Sequence, residues 1–296
     1  MPPLPPKRIL VLRGGAIGDF ILTLPVLQLL RQHWPGATID LIAHPAAGRL
    51  ALAGNLANAL KPVDNAACAA LFTTAPIGVE LRTYLERFDL IIDYLHDPDG
   101  IVARHLDENC RGRAIHHTPL VTSGHAIDHF LAPLAGLGLP VTGREYPQLA
   151  LGPNRAAPGQ AAIAIQPGSG SRAKNWPLDH FIRLGHAVAE TGATVLFICG
   201  ECEAEMIPRL EQEFGRDRVV SALDLVKLAN LLAGCKAYVG NDSGITHLAA
   251  ALGIPSVAIF GPSDPATWGP RGPNVHIISA ELAPSIAHII SLIGRL

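Results

Sequence analysis

Residues 166–177, QPGSGSRAKNWP, have the composition of an anion-binding loop and directly follow an apolar run at 162–165. Glycine and serine provide a flexible backbone with many N–H and O–H donors, and Lys174 adds a positive charge. Pro177 suits the first turn of a helix predicted at 178–191. We predict that four residues of this loop contact a phosphate group: Ser169, Gly170, Ser171 and Lys174.

A second polar segment, NDSGITH at 241–247, lies between an apolar run at 237–239 and an alanine-rich helix. Such a strand-to-helix turn directs unpaired backbone N–H groups and the positive end of the helix dipole at one point. An ordinary helix N-cap would also favour Asp and Ser here, so both interpretations stay open. For a diphosphate ligand we predict contacts from six residues: Asp242, Ser243, Gly244, Ile245, Thr246 and His247.

Asp19 follows a glycine-containing segment, Gly14-Gly15-Ala16-Ile17-Gly18, and precedes a helix predicted at 20–33. The segment lacks the G-x-G-x-x-G spacing of a dinucleotide-binding loop, and the chain has no G-x-x-x-x-G-K-[ST] pattern. Asp19 has two interpretations: a carboxylate that caps the helix, or a general base, which the helix N-terminus would keep ionised. We predict that Gly14, Gly15 and Gly18 form a loop beside Asp19.

In this order the motifs resemble those of glycosyltransferase family 9, the bacterial heptosyltransferases of lipopolysaccharide core assembly. The match extends from Arg13 through Leu24-Pro25 and both polar loops to FGPSDP at 260–265 and WGP at 268–270. The resemblance implies the GT-B fold, in which two Rossmann-like α/β domains with parallel sheets face a central cleft. It also implies an inverting transfer, with Asp19 as the base and a nucleoside diphosphate as the leaving group. Lys174 and residues 243–246 would stabilise the leaving group without a metal ion.

The resemblance further implies a nucleotide-sugar donor such as ADP-heptose, and a saccharide or lipid-linked saccharide acceptor. A glutamate that binds the ribose is expected after the strand at 194–198, and Glu203 is the best match, although Glu201 and Glu205 stay open. The resemblance places the loop of Gly14, Gly15 and Gly18 on the acceptor side, and no side chain is assigned to bind the acceptor. A lipid-linked acceptor could bring the enzyme to the inner membrane. No cofactor other than the substrate is expected.

Composition agrees with a cytoplasmic enzyme. The chain has 296 residues, a formal net charge of −2, 49% hydrophobic and 16% charged residues, which favours two folded domains over disorder and over nucleic-acid binding. The proline-rich start does not resemble a signal peptide, and no apolar run is long enough for a membrane span.

Asp97-Pro98-Asp99 is interpreted as a turn. Five histidines of the first half, His105, His116, His117, His125 and His129, are interpreted as scattered packing or surface residues.

Five cysteines, an odd number spread along the chain, indicate reduced thiols. Cys199-Gly200-Glu201-Cys202 has the C-x-x-C spacing of redox sites, so a redox role is kept as the weaker alternative.

Alternating strand and helix patterns predict parallel sheets. Strands are expected at 8–12, 38–43, 89–94 and 112–116 and near Ala162, Thr194, Val219, Ala237, Ser256 and Val275; helices are expected at 20–33, 78–88, 125–137, 178–191 and 283–293. A Gly- and Pro-containing segment at 151–159 is the predicted linker. It divides an acceptor-binding domain, 1–152, from a donor-binding domain, 153–296.

Three functions fit these features. The first is a family 9 glycosyltransferase. The second is another GT-B enzyme, with a different donor or with nucleotide-sugar epimerase activity. The third is a nucleotide-binding module without catalysis, which would not need a base such as Asp19.

Overall fold

The structure, a computed structural model, describes residues 5–152, 162–282 and 284–295. The chain forms two compact units, Met1–Glu145 and Tyr146–Leu296. The division falls seven residues before the predicted boundary, and most of the predicted linker, from residue 153 to 159, lies outside the described residues. Each unit contains a parallel sheet with helices between successive strands, so the predicted α/β class is confirmed.

The first unit is built on a parallel sheet with the order β3-β2-β1-β4-β5 among its described residues. Its strands are β1 (Arg8–Arg13), β2 (Thr38–Ala43), β3 (Ala59–Pro62), β4 (Leu90–Asp93) and β5 (Arg113–His116). The chain builds outwards from β1 in one direction through β2 and β3, and in the other through β4 and β5. The carboxyl ends of β1 and β4 therefore form a topological switch point, where ligands bind in open α/β sheets.

Six α-helices accompany this sheet in the described residues: α1 (Ile17–His33), α2 (Pro45–Ala53), α3 (Ala66–Ala69), α4 (Val79–Leu85), α5 (Ile101–Asn109) and α6 (Ala126–Gly136). The prediction of a first helix starting at Phe20 was wrong by one turn, because α1 begins at Ile17. Gly18 and Asp19 consequently lie inside the first turn of α1, and Gly18 is not part of a loop. The elements α2, β3, α3 and α5 were not predicted.

The second unit contains a parallel sheet with the order β11-β10-β9-β6-β7-β8 in its described part. Its strands are β6 (Ala162–Gln166), β7 (Thr194–Cys199), β8 (Val219–Ser221), β9 (Ala237–Asn241), β10 (Ser256–Phe260) and β11 (Val275–Ser279), which confirms all six predicted positions. The central strands β6, β9 and β10 are buried along their whole length, as expected for a sheet with both faces covered. The switch point of this sheet lies between β6 and β9.

The α-helices of the second unit are α7 (Leu178–Glu190), α8 (Ile207–Phe214), α9 (Leu225–Ala233), α10 (Gly244–Ala251), α11 (Pro265–Trp268) and α12 (Ile286–Arg295). On one face of the sheet, Ile165, Val239 and Ile259 form a buried core with Phe181 of α7 and Ile289 of α12. Throughout the ranges that the structure describes, no helix has the length and apolar character that a membrane span requires.

Candidate donor and catalytic sites

A buried asparagine joins the two polar loops of the second unit. Asn241, the last residue of β9, is fully buried. Its Nδ2 donates to the Pro167 carbonyl at 2.8 Å, and its Oδ1 accepts the N–H of Trp176 at 2.9 Å. One side chain therefore holds both ends of the 167–176 segment against the end of β9. The two segments that the sequence predicted as phosphate loops are thus neighbours at the β6/β9 switch point.

Gln166, the last residue of β6, extends this connection. Its Oε1 accepts hydrogen bonds from the hydroxyls of Tyr238 and Ser243, each at 2.8 Å. Its Nε2 donates to Oε1 of Glu203 at 3.2 Å, and the other carboxylate oxygen of Glu203 accepts the Gly200 N–H at 2.7 Å. A satisfied buried network of this kind makes the loops rigid and fixes one arrangement of their backbones.

Helix α10 begins at the predicted anion-binding turn. Ser243 is the N-cap, and its hydroxyl oxygen accepts the Thr246 N–H at 3.2 Å. The N–H groups of Gly244 and Ile245 precede the intrahelical hydrogen bonds, and both residues are partly exposed, so they are the backbone donors that can face an anion. The prediction of a ligand contact through the Thr246 hydroxyl is not supported, because Thr246 is fully buried and its hydroxyl donates to the Asn241 carbonyl. His247 is also buried.

Lys174 carries the positive charge of the first loop and lies at the end of a short 3₁₀ turn, Arg172–Lys174. Its Nζ is 2.7 Å from Oδ2 of Asp242, an ion pair between the two loops. The Lys174 side chain is 37% exposed, whereas that of Asp242 is 6% exposed. The ammonium therefore keeps an open side toward solvent while Asp242 holds it at the end of β9.

The serines of the first loop have different roles. Ser169 is buried, and its hydroxyl contacts the Ser171 carbonyl at 2.8 Å and Oδ1 of Asn175 at 2.7 Å, so it stabilises the loop from inside. The predicted contact between Ser169 and a phosphate group stays a prediction, and in this conformation the Ser169 hydroxyl is used within the loop. Gly170 and Ser171 are exposed and can do so.

Glu203 is the predicted ribose ligand, and the structure gives it a different set of neighbours. The residue is 1% exposed, with Gln166 and Gly200 as its hydrogen-bond partners. A Cβ atom at Gly168 would collide with its carboxylate, so Gly168 is required for this close approach. Glu203 thus supports the Gly168 loop from behind, whereas Glu201 and Glu205 are exposed. Glu205 forms an ion pair with Arg172.

In the first unit, Asp19 lies at the β1/β4 switch point in the first turn of α1. Its Oδ2 accepts the Ala16 N–H at 2.9 Å, so the capping interpretation is confirmed for this oxygen. Its Oδ1 lies 3.7 Å from a terminal guanidinium nitrogen of Arg13, and the side chain is 32% exposed. Gly15 has φ +86°, and a Cβ there would lie 2.8 Å from Oδ2, so glycine is required beside this carboxylate. One carboxylate oxygen is thus used by the helix and the other is left for chemistry.

Three of the five histidines have separate local partners. His105 contacts the Thr73 carbonyl, His125 caps α6, and His116 lies between Asp93 at 3.2 Å and Asp107 at 3.0 Å. These two carboxylates raise the pKa of His116 to about 9.

The remaining two histidines, His117 and His129, contact each other with ring centroids 4.3 Å apart, and burial together with His129 lowers the pKa of His117. No group of three or more His, Cys, Asp or Glu side chains suited to a metal ion occurs among the described residues. Asp97-Pro98-Asp99 is a turn, as predicted, in which Asp97 accepts the Ala103 N–H.

The C-x-x-C segment does not have the properties of a redox site. Cys199 and Cys202 are free thiols. Burial, together with Glu203, raises the pKa of Cys199 to about 12, whereas reactive cysteines have lowered pKa values. Cys199 is therefore a packing residue of β7.

Two units, each with a parallel sheet and helices between its strands, define the GT-B fold, and solved heptosyltransferase structures share it. The family model of glycosyltransferase family 9 (heptosyltransferase) matches residues 135–288, more than half of the chain. The chain belongs to this family and is a glycosyltransferase, which confirms the resemblance seen in the sequence.

Individual relatives cover nearly the whole chain. Lipopolysaccharide heptosyltransferase 1 of Escherichia coli (strain K12) is 25% identical over 301 residues, which cover 92% of this chain and 93% of the relative. Among solved structures, a glycosyl transferase family 9 protein from Veillonella parvula has a TM-score of 0.81 at 20% identity, with 98% of each chain covered. E. coli heptosyltransferase WaaC with ADP has a TM-score of 0.75 at 22% identity, with 97% of this chain and 99% of that chain covered.

Proposed function

We propose that this chain is an inverting glycosyltransferase that moves a heptose from ADP-heptose to a saccharide of the lipopolysaccharide core type. The similarity to lipopolysaccharide heptosyltransferase 1 over more than nine-tenths of both chains supports this choice of donor and acceptor. We propose that the second unit binds the donor and the first unit binds the acceptor.

The main support for the proposal is the anion site at the β6/β9 switch point. Lys174, the first N–H groups of α10 and the exposed Gly170-Ser171 segment lie on two loops that Asn241 and Gln166 hold together. When the glycosidic bond to the donor breaks, negative charge develops on the leaving diphosphate. Fixed donors that already point at this position stabilise that charge without having to reorganise.

Asp242 has a defined part in this site. Its buried carboxylate holds the Lys174 ammonium at 2.7 Å. An ammonium has three donor hydrogens, so Lys174 can keep this bond and donate the others to phosphate oxygens. For the ribose, the candidates are the exposed Glu201 and Glu205 and the buried Glu203.

Asp19 is the proposed general base. Its Oδ1 is not used by the helix cap and can accept the proton of the acceptor hydroxyl as that oxygen attacks the anomeric carbon. One base and one leaving group on opposite sides of the sugar ring give inversion in a single displacement. The charge stabilisation supplied by Lys174 and α10 makes a divalent ion unnecessary in this scheme.

We further propose that the enzyme works in the cytoplasm without an added cofactor. A lipid-linked acceptor would bring it to the inner membrane surface through the substrate.

A comparison of nucleotides tests the proposal. Ligands that bind the folded state raise its melting temperature by mass action, so ADP and ADP-heptose should raise it, whereas UDP and UDP-linked sugars should not. Release of ADP from ADP-heptose should then depend on added lipopolysaccharide from a heptose-deficient strain. Equal stabilisation by UDP-linked sugars, or no turnover with this acceptor, would show that the donor or the acceptor has been assigned wrongly.

A further inference from the structure

Arg13, the last residue of β1, is a buried cation beside the proposed base. The residue is 3% exposed, although arginine is almost never fully buried without a partner. Burial lowers the pKa of its guanidinium, and Asp19 and Tyr94 oppose that effect. An arginine stays protonated in proteins even so. A permanent positive charge therefore lies under the first turn of α1.

Three contacts fix the orientation of this guanidinium. Its Nε donates to the Thr23 hydroxyl at 3.0 Å, and its central carbon lies 4.5 Å from the ring centroid of Phe130 in α6. A terminal nitrogen faces Oδ1 of Asp19 at 3.7 Å. The Thr23 hydroxyl in turn donates to the Asp19 carbonyl at 2.8 Å. Arg13 thus reaches Asp19 twice, through its charge and through the backbone of α1.

The distance of 3.7 Å between a terminal nitrogen of Arg13 and Oδ1 of Asp19 determines how the guanidinium acts on this oxygen. It is longer than a hydrogen bond, so the guanidinium does not take a lone pair of Oδ1. It is short enough for the buried positive charge to attract Oδ1 and so to fix the direction in which this oxygen points. The remaining oxygen, Oδ2, is held by the Ala16 N–H. The arrangement keeps one oxygen of Asp19 oriented and free to accept a proton.

We propose that Arg13 is a positioning residue that orients Asp19 for proton abstraction. This inference rests on the proposed role of Asp19 as the base. Tyr94, which follows β4, is the other titratable group that acts on Arg13. Tyr94 donates its hydroxyl to the Phe130 carbonyl, and burial raises its pKa, so it is neutral at neutral pH and does not compete with Asp19 for the guanidinium.

The test compares Arg13→Met and Arg13→Lys with the matched control Arg31→Met. Arg31 belongs to the last turn of α1, the helix that contains Asp19, and donates to the Ala37 carbonyl and to Asn58, both at 2.7 Å. Its loss therefore perturbs α1 far from Asp19. The assay follows ADP release from ADP-heptose, with lipopolysaccharide from a heptose-deficient strain as acceptor.

For Arg13→Met we expect kcat to fall by about 10-fold or more, because the base loses its orientation, with little change in KM for ADP-heptose. Arg13→Lys keeps the charge but cannot hold both Thr23 and Asp19. It should therefore lower kcat less than Arg13→Met does, and it supports the same test if Arg13→Met does not fold.

A double variant with Asp19→Asn separates the two proposals. If Arg13 acts through Asp19, Arg13→Met should add almost nothing to the loss caused by Asp19→Asn. Near-normal turnover of Asp19→Asn would overturn the proposed base, and the role of Arg13 with it. A strongly impaired Asp19→Asn, together with Arg13 variants that match Arg31→Met in kcat, would overturn the role of Arg13 alone.

Discussion

The ion pair between Lys174 and Asp242 gives the most direct test of the donor site. Replacement of Lys174 by alanine removes the ammonium that we expect to donate to the diphosphate, and it leaves the buried Asp242 carboxylate without its partner. A hydrogen bond to a charged group contributes about 1.5–3 kcal/mol, which corresponds to an increase of about 10- to 150-fold in the Kd for ADP. The unpaired carboxylate repels the diphosphate, so we expect a value near the upper end of this range.

Isothermal titration calorimetry with ADP measures this effect. Arg172→Ala is the matched control, because Arg172 belongs to the same 3₁₀ turn and also forms an ion pair, but its partner Glu205 is exposed. We expect little change in this control. The double variant Lys174→Ala/Asp242→Asn should bind ADP more tightly than Lys174→Ala alone, because the remaining negative charge has been removed. An affinity of Lys174→Ala equal to that of Arg172→Ala would refute the assignment of this loop to the diphosphate.

Three further predictions concern Asp19, the metal requirement and the charge on His116. The Asp19→Asn side chain can still accept the Ala16 N–H, so the fold should survive and the ADP affinity should not change. Because the base is lost, kcat should fall by about 10²–10⁴-fold. Turnover within a few-fold of wild type would remove Asp19 from the mechanism. A chelator should leave turnover unchanged; loss of activity that Mg²⁺ restores would contradict charge stabilisation by Lys174 and α10 alone. Asp93 and Asp107 raise the pKa of His116 to about 9, so the folded state binds a proton on this imidazole more tightly than the unfolded state does. The contribution of His116 to the free energy of unfolding is therefore complete below its ordinary pKa of about 6.5, and it is lost as the pH rises through about 9. His116→Gln should therefore lower the free energy of unfolding by about 2 kcal/mol at pH 6, after allowance for its partial exposure, and by much less above pH 9; an equal loss at both pH values would contradict the proposed charge on His116.

Several features of the fold could be predicted from local sequence. The strands of the second unit are short apolar runs bounded by Gly and Pro, and a sheet covered on both faces requires this pattern. The two predicted anion-binding turns follow the strands β6 and β9 directly. Their glycines, serines and helix starts are local features, so the places of these turns at the strand ends could be predicted.

The less regular elements of the first unit could not be predicted in this way. Strand β3 has the sequence Ala-Leu-Lys-Pro and lies at the sheet edge, with little apolar pattern to identify it. Helix α1 begins three residues before the predicted start, because the Asp19 carboxylate caps the Ala16 N–H and Gly18 is accepted in the first turn. Local propensity disfavours glycine there, and the cap offsets that cost.

The sequence by itself indicated the family through the resemblance of its ordered motifs. It also determined the α/β class and which segments carry the polar residues, because these depend on residue order and periodicity. Only the tertiary structure decided which side chains of those segments are open to a ligand. Ser169, Glu203 and Thr246 have the chemistry of ligand contacts, but they are buried and bonded to the loops themselves.

Contacts between distant parts of the chain were likewise decided only by the tertiary structure. Asn241 bonds to Pro167 and Lys174 to Asp242 across 74 and 68 residues, and Arg13 becomes a buried partner of Asp19. Burial and pairing of this kind arise only when strands that are separated in sequence become neighbours in a sheet, and no local pattern encodes that adjacency.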